Sequence, residues 1–161
     1  MVIILMGVSG AGKTTIGRRL AKDLGWQFHD GDDFHPQANI DKMRQGIALT
    51  DTDRDTWLVV LEDIIHNIVR KRHSAIIACS ALKNAYRKRL QTDPDMVKFI
   101  YLKGSYVLIQ ERMQGRQGHY MKEDLLASQF DTLEEPSGVL TVDVVQEPVV
   151  IVGLIKEALR L

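Results

Sequence analysis

An α/β fold in three layers, with a parallel sheet covered on both faces by helices, is what the sequence predicts, and three observations predict it. Short β-branched runs alternate along the chain with longer segments of helical period. Several of those runs are apolar at every position, which suits strands buried on both faces. The first run leads straight into a glycine-rich loop and then a helix. The 161 residues suit one domain spanning 1–161, with no repeat, low-complexity tract or linker to divide them.

The elements follow in order. Val2–Met6 reads as the first strand. Lys13–Leu24 carries Ile16, Leu20 and Leu24 four residues apart and stops at Gly25, so it is a helix with one buried stripe. Trp26–His29 is the second strand, and a short helix starts near Pro36 with Asp33 as its expected cap. Asp53–Arg72 gives the clearest helical pattern: Trp57, Leu58, Leu61, Ile64, Ile65, Ile68 and Val69 share a face, and Thr50 to Asp53 offer its cap. Ala75–Cys79 is the third strand and Asn84–Gln91 the next helix, on which Lys88 and Arg89 read as a solvated face. Val97–Leu102 and Leu140–Val145 complete the strands. Ser105–Gln114, Glu123–Phe130 and Pro148–Leu161 complete the helices, the last with Pro in its first turn.

Composition excludes several classes. Twenty-one Lys and Arg balance 21 Asp and Glu, so no excess of positive charge exists to hold nucleic acid or an anionic membrane. Any bound anion must be held locally. A lone cysteine, Cys79, cannot close an intrachain disulfide, which favours a reducing compartment, the cytoplasm. Val2–Met6 is too short for a secretory core and Val149–Ile155 too short to cross a membrane.

The strongest motif is Gly7-Val-Ser-Gly-Ala-Gly12-Lys13-Thr14, which fits GxxxxGK(S/T) at every fixed position between a strand and a helix. Its glycines let successive N–H groups turn inward on an anion, and the helix N-terminus adds its positive end. Lys13 places a charge at the β/γ-phosphates, and Thr14 offers a hydroxyl to Mg²⁺. Gly7, Val8, Ser9, Gly10, Ala11, Gly12, Lys13, Thr14 and Thr15 are therefore the candidate nucleotide-binding residues, for ATP with Mg²⁺. No Asn/Thr-Lys-x-Asp guanine-reading motif occurs, and the third strand ends Ala78-Cys79-Ser80 without a Walker-B acid. A kinase thus leads over a switch GTPase or a motor.

A phosphotransferase also needs a group to orient the acceptor hydroxyl, cations for the transferring phosphoryl and a way to exclude water. The second strand ends in a cluster, Asp30-Gly-Asp32-Asp33, at the edge where open α/β sheets bind ligands. Asp32 is the candidate base and, with Thr14, a candidate metal ligand. Asp30, His35, Asn39, Arg54, Ser80, Lys83 and Arg87 are the candidate substrate-binding residues on the same edge. Arg112-Met-Gln-Gly115-Arg116-Gln-Gly118-His119-Tyr120 breaks a helix with two glycines, two arginines and a histidine. It reads as a hinged lid over about 112–124, with Arg112 and Arg116 as catalytic cations, Arg112 also at the nucleotide and His119 at the substrate.

These pieces together resemble the gluconokinases, P-loop kinases related to shikimate kinase and the nucleoside monophosphate kinases. The segments that carry the resemblance run from Leu5-Met-Gly-Val-Ser-Gly through Asp30-Gly-Asp-Asp-Phe-His-Pro and Cys79-Ser-Ala-Leu-Lys to Gly118-His119 and Gln129-Phe. The resemblance implies a P-loop kinase fold with a five-stranded parallel sheet and a mobile lid. It also implies ATP-dependent, Mg²⁺-assisted phosphorylation of gluconate and commonly a homodimer. A linear polyol with one carboxylate calls for a cation at one end, hydrogen-bonding groups along the chain and a carboxylate by the terminal hydroxyl. Spacing leaves open which of Arg54, Lys83 and Arg87 meets the substrate carboxylate. Another small hydroxy acid such as shikimate, or a nucleotide-binding regulator with no acceptor, remains the alternative reading.

Overall fold

The computed structural model describes residues 1–115 and 123–161. Arg116 and His119, and the rest of the lid expectation between them, lie outside the described residues. The order is β1 (Val2–Met6), α1 (Lys13–Leu24), β2 (Gln27–Asp30), a 3-10 turn (Gly31–Phe34), α2 (Gln37–Arg44) and α3 (Asp51–Arg70). It continues with β3 (Ala75–Ala78), α4 (Asn84–Leu90), β4 (Val97–Lys103), α5 (Tyr106–Gln114), α6 (Glu123–Thr132), β5 (Leu140–Asp143) and α7 (Pro148–Leu159). The expected alternation is present, with element ends moved by at most two residues.

All five described strands are parallel, in the order β2-β3-β1-β4-β5. Central β1 is buried at every residue, and its side chains divide by strand alternation. Ile3 and Leu5 pack with Ile16 and Leu20 of α1, Leu126 of α6 and Ile151 and Ile155 of α7. Val2, Ile4 and Met6 pack with Trp57, Leu61 and Ile65 of α3 and Leu90 of α4. The three layers follow directly from that division. No described helix is long and apolar enough to cross a membrane.

The caps correct one expectation and bear out another. Asp33 does not cap α2, whose N-cap is Pro36 with no side-chain bond; Asp30 instead caps the 3-10 turn by accepting from the Asp32 N–H. The Thr50–Asp53 cap of α3 is a reciprocal box, in which each side chain accepts from the other's backbone N–H. Asp51 serves a different purpose, pairing with Lys83. Arg89 is not a solvated residue either: it pairs with Glu62 at 2.7 Å and Asp55 at 2.9 Å and ties α4 to α3.

The carboxyl ends of β1, β2 and β3 open on one edge. The Gly7 N–H donates to the Ser80 carbonyl at 3.2 Å, joining the loop after β1 to the segment after β3. Two glycines permit these approaches. Gly7 sits at φ +140°, where a Cβ would stand 2.7 Å from the Leu102 carbonyl oxygen, and a Cβ on Gly31 would stand 2.6 Å from that of Ala78.

Candidate active site

The loop from Gly7 to Gly12 wraps the N-terminus of α1, whose first N–H groups, on Lys13, Thr14 and Thr15, have no helical carbonyl behind them. Lys13 Nζ donates to the Gly7 and Val8 carbonyls, both at 3.0 Å, so the ammonium is held inside the loop it serves. Burial lowers its pKa, opposed by the negative charges of Asp32 and Asp30. Helix α5 lies against the loop, since a Cβ on Gly10 would touch Ile109 and Met113 at 3.0 Å. Gln129 of α6 holds the loop as well: the Ser9 N–H donates to its Oε1 at 2.7 Å, and its Nε2 donates to the Ser9 hydroxyl at 3.1 Å. Gln129 entered the sequence reading only within the family resemblance, because its partner lies far along the chain.

Thr14 faces Asp30 and not Asp32. Its hydroxyl donates to Asp30 Oδ2 at 2.7 Å, which moves the carboxylate expected beside Thr14 two residues back, to the last residue of β2. Among the described residues no group of three or more His, Cys, Asp and Glu is placed to hold a metal ion. A hydroxyl and a carboxylate fit a hard cation that takes its remaining ligands from water and phosphate oxygens.

One cavity brings Lys13, Asp32, His35, Arg54 and Ser80 together, as expected from the sequence. Met43, Leu49, Trp57 and Leu125 supply apolar wall. Asp32 projects into this cleft with 70% of its side chain accessible. Desolvation by the surrounding protein still raises its pKa, opposed by Lys13 and reinforced by Asp30 and Asp33. His35 is the opposite case, 5% exposed and stacked on Trp57 with ring centroids 4.4 Å apart. Burial, then the positive charge of Arg54, lowers its pKa to about 4, so the ring is neutral at pH 7.

Arg54 alone among the three competing cations lines the cavity. Its Nη1 donates to the Leu49 carbonyl at 2.7 Å and approaches the Tyr86 hydroxyl at 3.4 Å, and both partners are neutral. Lys83 is committed to Asp51 at 2.8 Å, and Asp51 also accepts from the Tyr86 hydroxyl. Arg87 is 7% exposed and donates to the Ala81 and Leu82 carbonyls at 2.9 Å, so it holds the turn after β3 and does not line the cavity. Arg112 donates to the Val144 carbonyl at 2.6 Å and ties α5 to the segment after β5. Asn39, 3% exposed, donates to the Asp53 carbonyl and is buried between α2 and α3 instead of lining the cavity. The sequence reading thus gathered cations that the fold divides between structural and cleft-facing roles.

Comparison with known proteins shows what the chain is similar to. Residues 9–135 match the family described as Shikimate kinase. The thermosensitive gluconokinase of Escherichia coli (strain K12) is 50% identical over 133 residues, 83% of this chain and 71% of that protein. A gluconokinase of Sinorhizobium meliloti 1021 superposes with a TM-score of 0.86 and 38% identity, covering 99% of this chain and 95% of that one. A sugar kinase from Janibacter sp. HTCC2649 gives 0.91 and 40%, covering 99% and 94%.

Proposed function

Because the chain belongs to the gluconokinase family, within the wider shikimate kinase family, we propose that it transfers the terminal phosphoryl group of ATP to the terminal hydroxyl of gluconate. The observation that carries this reading is the cleft itself. Lys13, Asp32 and Arg54 line one cavity, Lys13 and Asp32 feel each other's charge, and the hydrogen bonds of Arg54 go to two neutral groups. An acceptor with an anionic group at one end and a hydroxyl at the other suits that set of charges.

In this mechanism Asp32 accepts the hydrogen of the terminal hydroxyl as its oxygen forms a bond to the phosphorus and the bond to ADP breaks. A carboxylate of raised pKa is the better proton acceptor, and the ammonium of Lys13 favours its charged form. Lys13 and the N–H groups of α1 stabilise the charge on the transferring phosphoryl oxygens. Thr14 and Asp30 would hold Mg²⁺, which supplies charge neutralisation to the phosphates when bound. Arg54 receives the substrate carboxylate, and Ser80 adds a hydroxyl to the polyol chain. Arg112, on the helix packed against the loop, contributes positive charge from that side.

A coupled ADP-release assay with ATP and Mg²⁺ across gluconate, other sugar acids, shikimate and nucleoside monophosphates tests the reading. Gluconate should give the highest kcat/KM. Acceptor-independent hydrolysis, or a preference for shikimate, would overturn it.

A further inference from the structure

Beside the reacting carboxylate lies an imidazole whose proton position the neighbouring residues fix. Asn39 Nδ2 donates to the Asp53 carbonyl at 2.7 Å, and a carbonyl oxygen can only accept, so that side-chain atom must be the amide nitrogen. Its second hydrogen meets His35 Nδ1 at 3.3 Å. Nδ1 is therefore the acceptor nitrogen, and the single ring proton belongs on Nε2. Stacking on Trp57 holds the ring in place. Nε2 then faces Asp32 Oδ1 at 4.0 Å, beyond hydrogen-bond range.

A donor and an acceptor that stand this far apart can share one oxygen placed between them, each at about 2.8 Å. The oxygen must accept from one and donate to the other, which a hydroxyl does. It is not assigned to the reacting hydroxyl, because an N–H donated to the attacking oxygen lowers its nucleophilicity. The second oxygen of Asp32 remains for that group. We infer that Asn39 holds His35 in the Nε2–H tautomer, and that Nε2–H and Asp32 Oδ1 together bind the hydroxyl adjacent to the one phosphorylated. This rests on the gluconate reading. Asn39 is then a positioning residue and His35 the residue that selects acceptors with two neighbouring hydroxyls at that end.

The experiment has two arms. A ¹H–¹⁵N correlation spectrum of the wild-type histidine rings should show His35 with a protonated Nε2 and a bare Nδ1. Asn39→Asp, which presents an acceptor where the amide presents a donor, should move a proton onto Nδ1. A wild-type His35 protonated on Nδ1 overturns the role given to Asn39. In the second arm kcat/KM is measured for gluconate and 5-deoxygluconate. Wild type should favour gluconate by about 10–100-fold, the cost of leaving a buried donor unmatched. His35→Leu should narrow the preference at least about threefold by slowing gluconate alone, the hydroxyl's bond to Asp32 supplying what is left of it, and His35→Gln, which retains an N–H near the same place, should restore part of the loss. Equal wild-type values for both acids, or a His35→Leu enzyme that slows both alike, overturns the contact. A wild type that phosphorylates another acid but not gluconate sinks the activity reading instead, and the spectrum still decides what Asn39 does.

Discussion

Trp57 Nε1 donates a buried 2.7 Å hydrogen bond to the Gly31 carbonyl, joining the first turns of α3 to the turn that presents Asp32. Its ring face also carries His35. One side chain therefore fixes the position of two groups in the cleft. Trp57→Phe keeps an aromatic ring but leaves the Gly31 carbonyl without its donor, so stability should fall by about 1–3 kcal/mol in urea unfolding. The turnover number should fall as well, by up to about 100-fold, because a small displacement of Asp32 spoils the approach to the hydroxyl. An unchanged kcat beside the stability loss would remove the positioning role.

Asp32→Asn preserves the size of the side chain and its place after Gly31 but cannot take a proton. The turnover number should drop by about 10²–10⁴-fold. The KM for ATP should stay within a few-fold, since the loop and the α1 N-terminus are untouched. Near-wild-type turnover would exclude Asp32 as the base.

How legible the molecule was depends on how far each signal reaches along the chain. The helix Lys13–Leu24 was readable to the residue because its stop, Gly25, sits beside it in the left-handed conformation. The layers were readable because apolar residues on both faces of β1 have no other use. The roles of the cations were not. Lys83, Arg87 and Arg89 are cations of one short basic helix and its N-cap, and their roles are decided by Asp51, two loop carbonyls and Glu62. Trp57 fitted an apolar stripe perfectly well, and nothing local announced that its N–H reaches Gly31. Charge identifies the edge where the chemistry happens, while long-range partners decide which charges face it.

The pH dependence of stability follows from His35 and Asp53 in adjoining windows. The folded pKa of His35, about 4, lies below its ordinary 6.5, so between those values the unfolded chain binds a proton that the folded chain does not. Stability should fall as pH drops through that window and be indifferent to this group above it. Asp53, held near 2 by Lys42 and the Thr50 cap, adds stability that is present above 3.8 and lost as pH falls toward 2. Urea unfolding from pH 7 to 3 should therefore show a slope that begins near 6.5. His35→Gln should flatten only the upper part of it, and a slope unchanged in that variant would assign the proton to another group.

Arg54 offers the sharpest separation of binding from folding. It faces the cleft with neutral partners, so its charge is available to a carboxylate, whereas Lys83 already has Asp51. A hydrogen bond to a charged group contributes about 1.5–3 kcal/mol, so Arg54→Met should lower kcat/KM for gluconate by about 10–150-fold. Loss of the bond to the Leu49 carbonyl will also loosen the segment before α3, which affects every acceptor. The corresponding polyol without the carboxylate, glucitol, isolates the charge: its already low kcat/KM should change by no more than about threefold. Lys83→Met removes an exposed ion pair that contributes about 0–1 kcal/mol to stability and should leave the acid-over-polyol preference intact. If Lys83→Met erases that preference and Arg54→Met does not, the substrate carboxylate lies at the other end of the cation row.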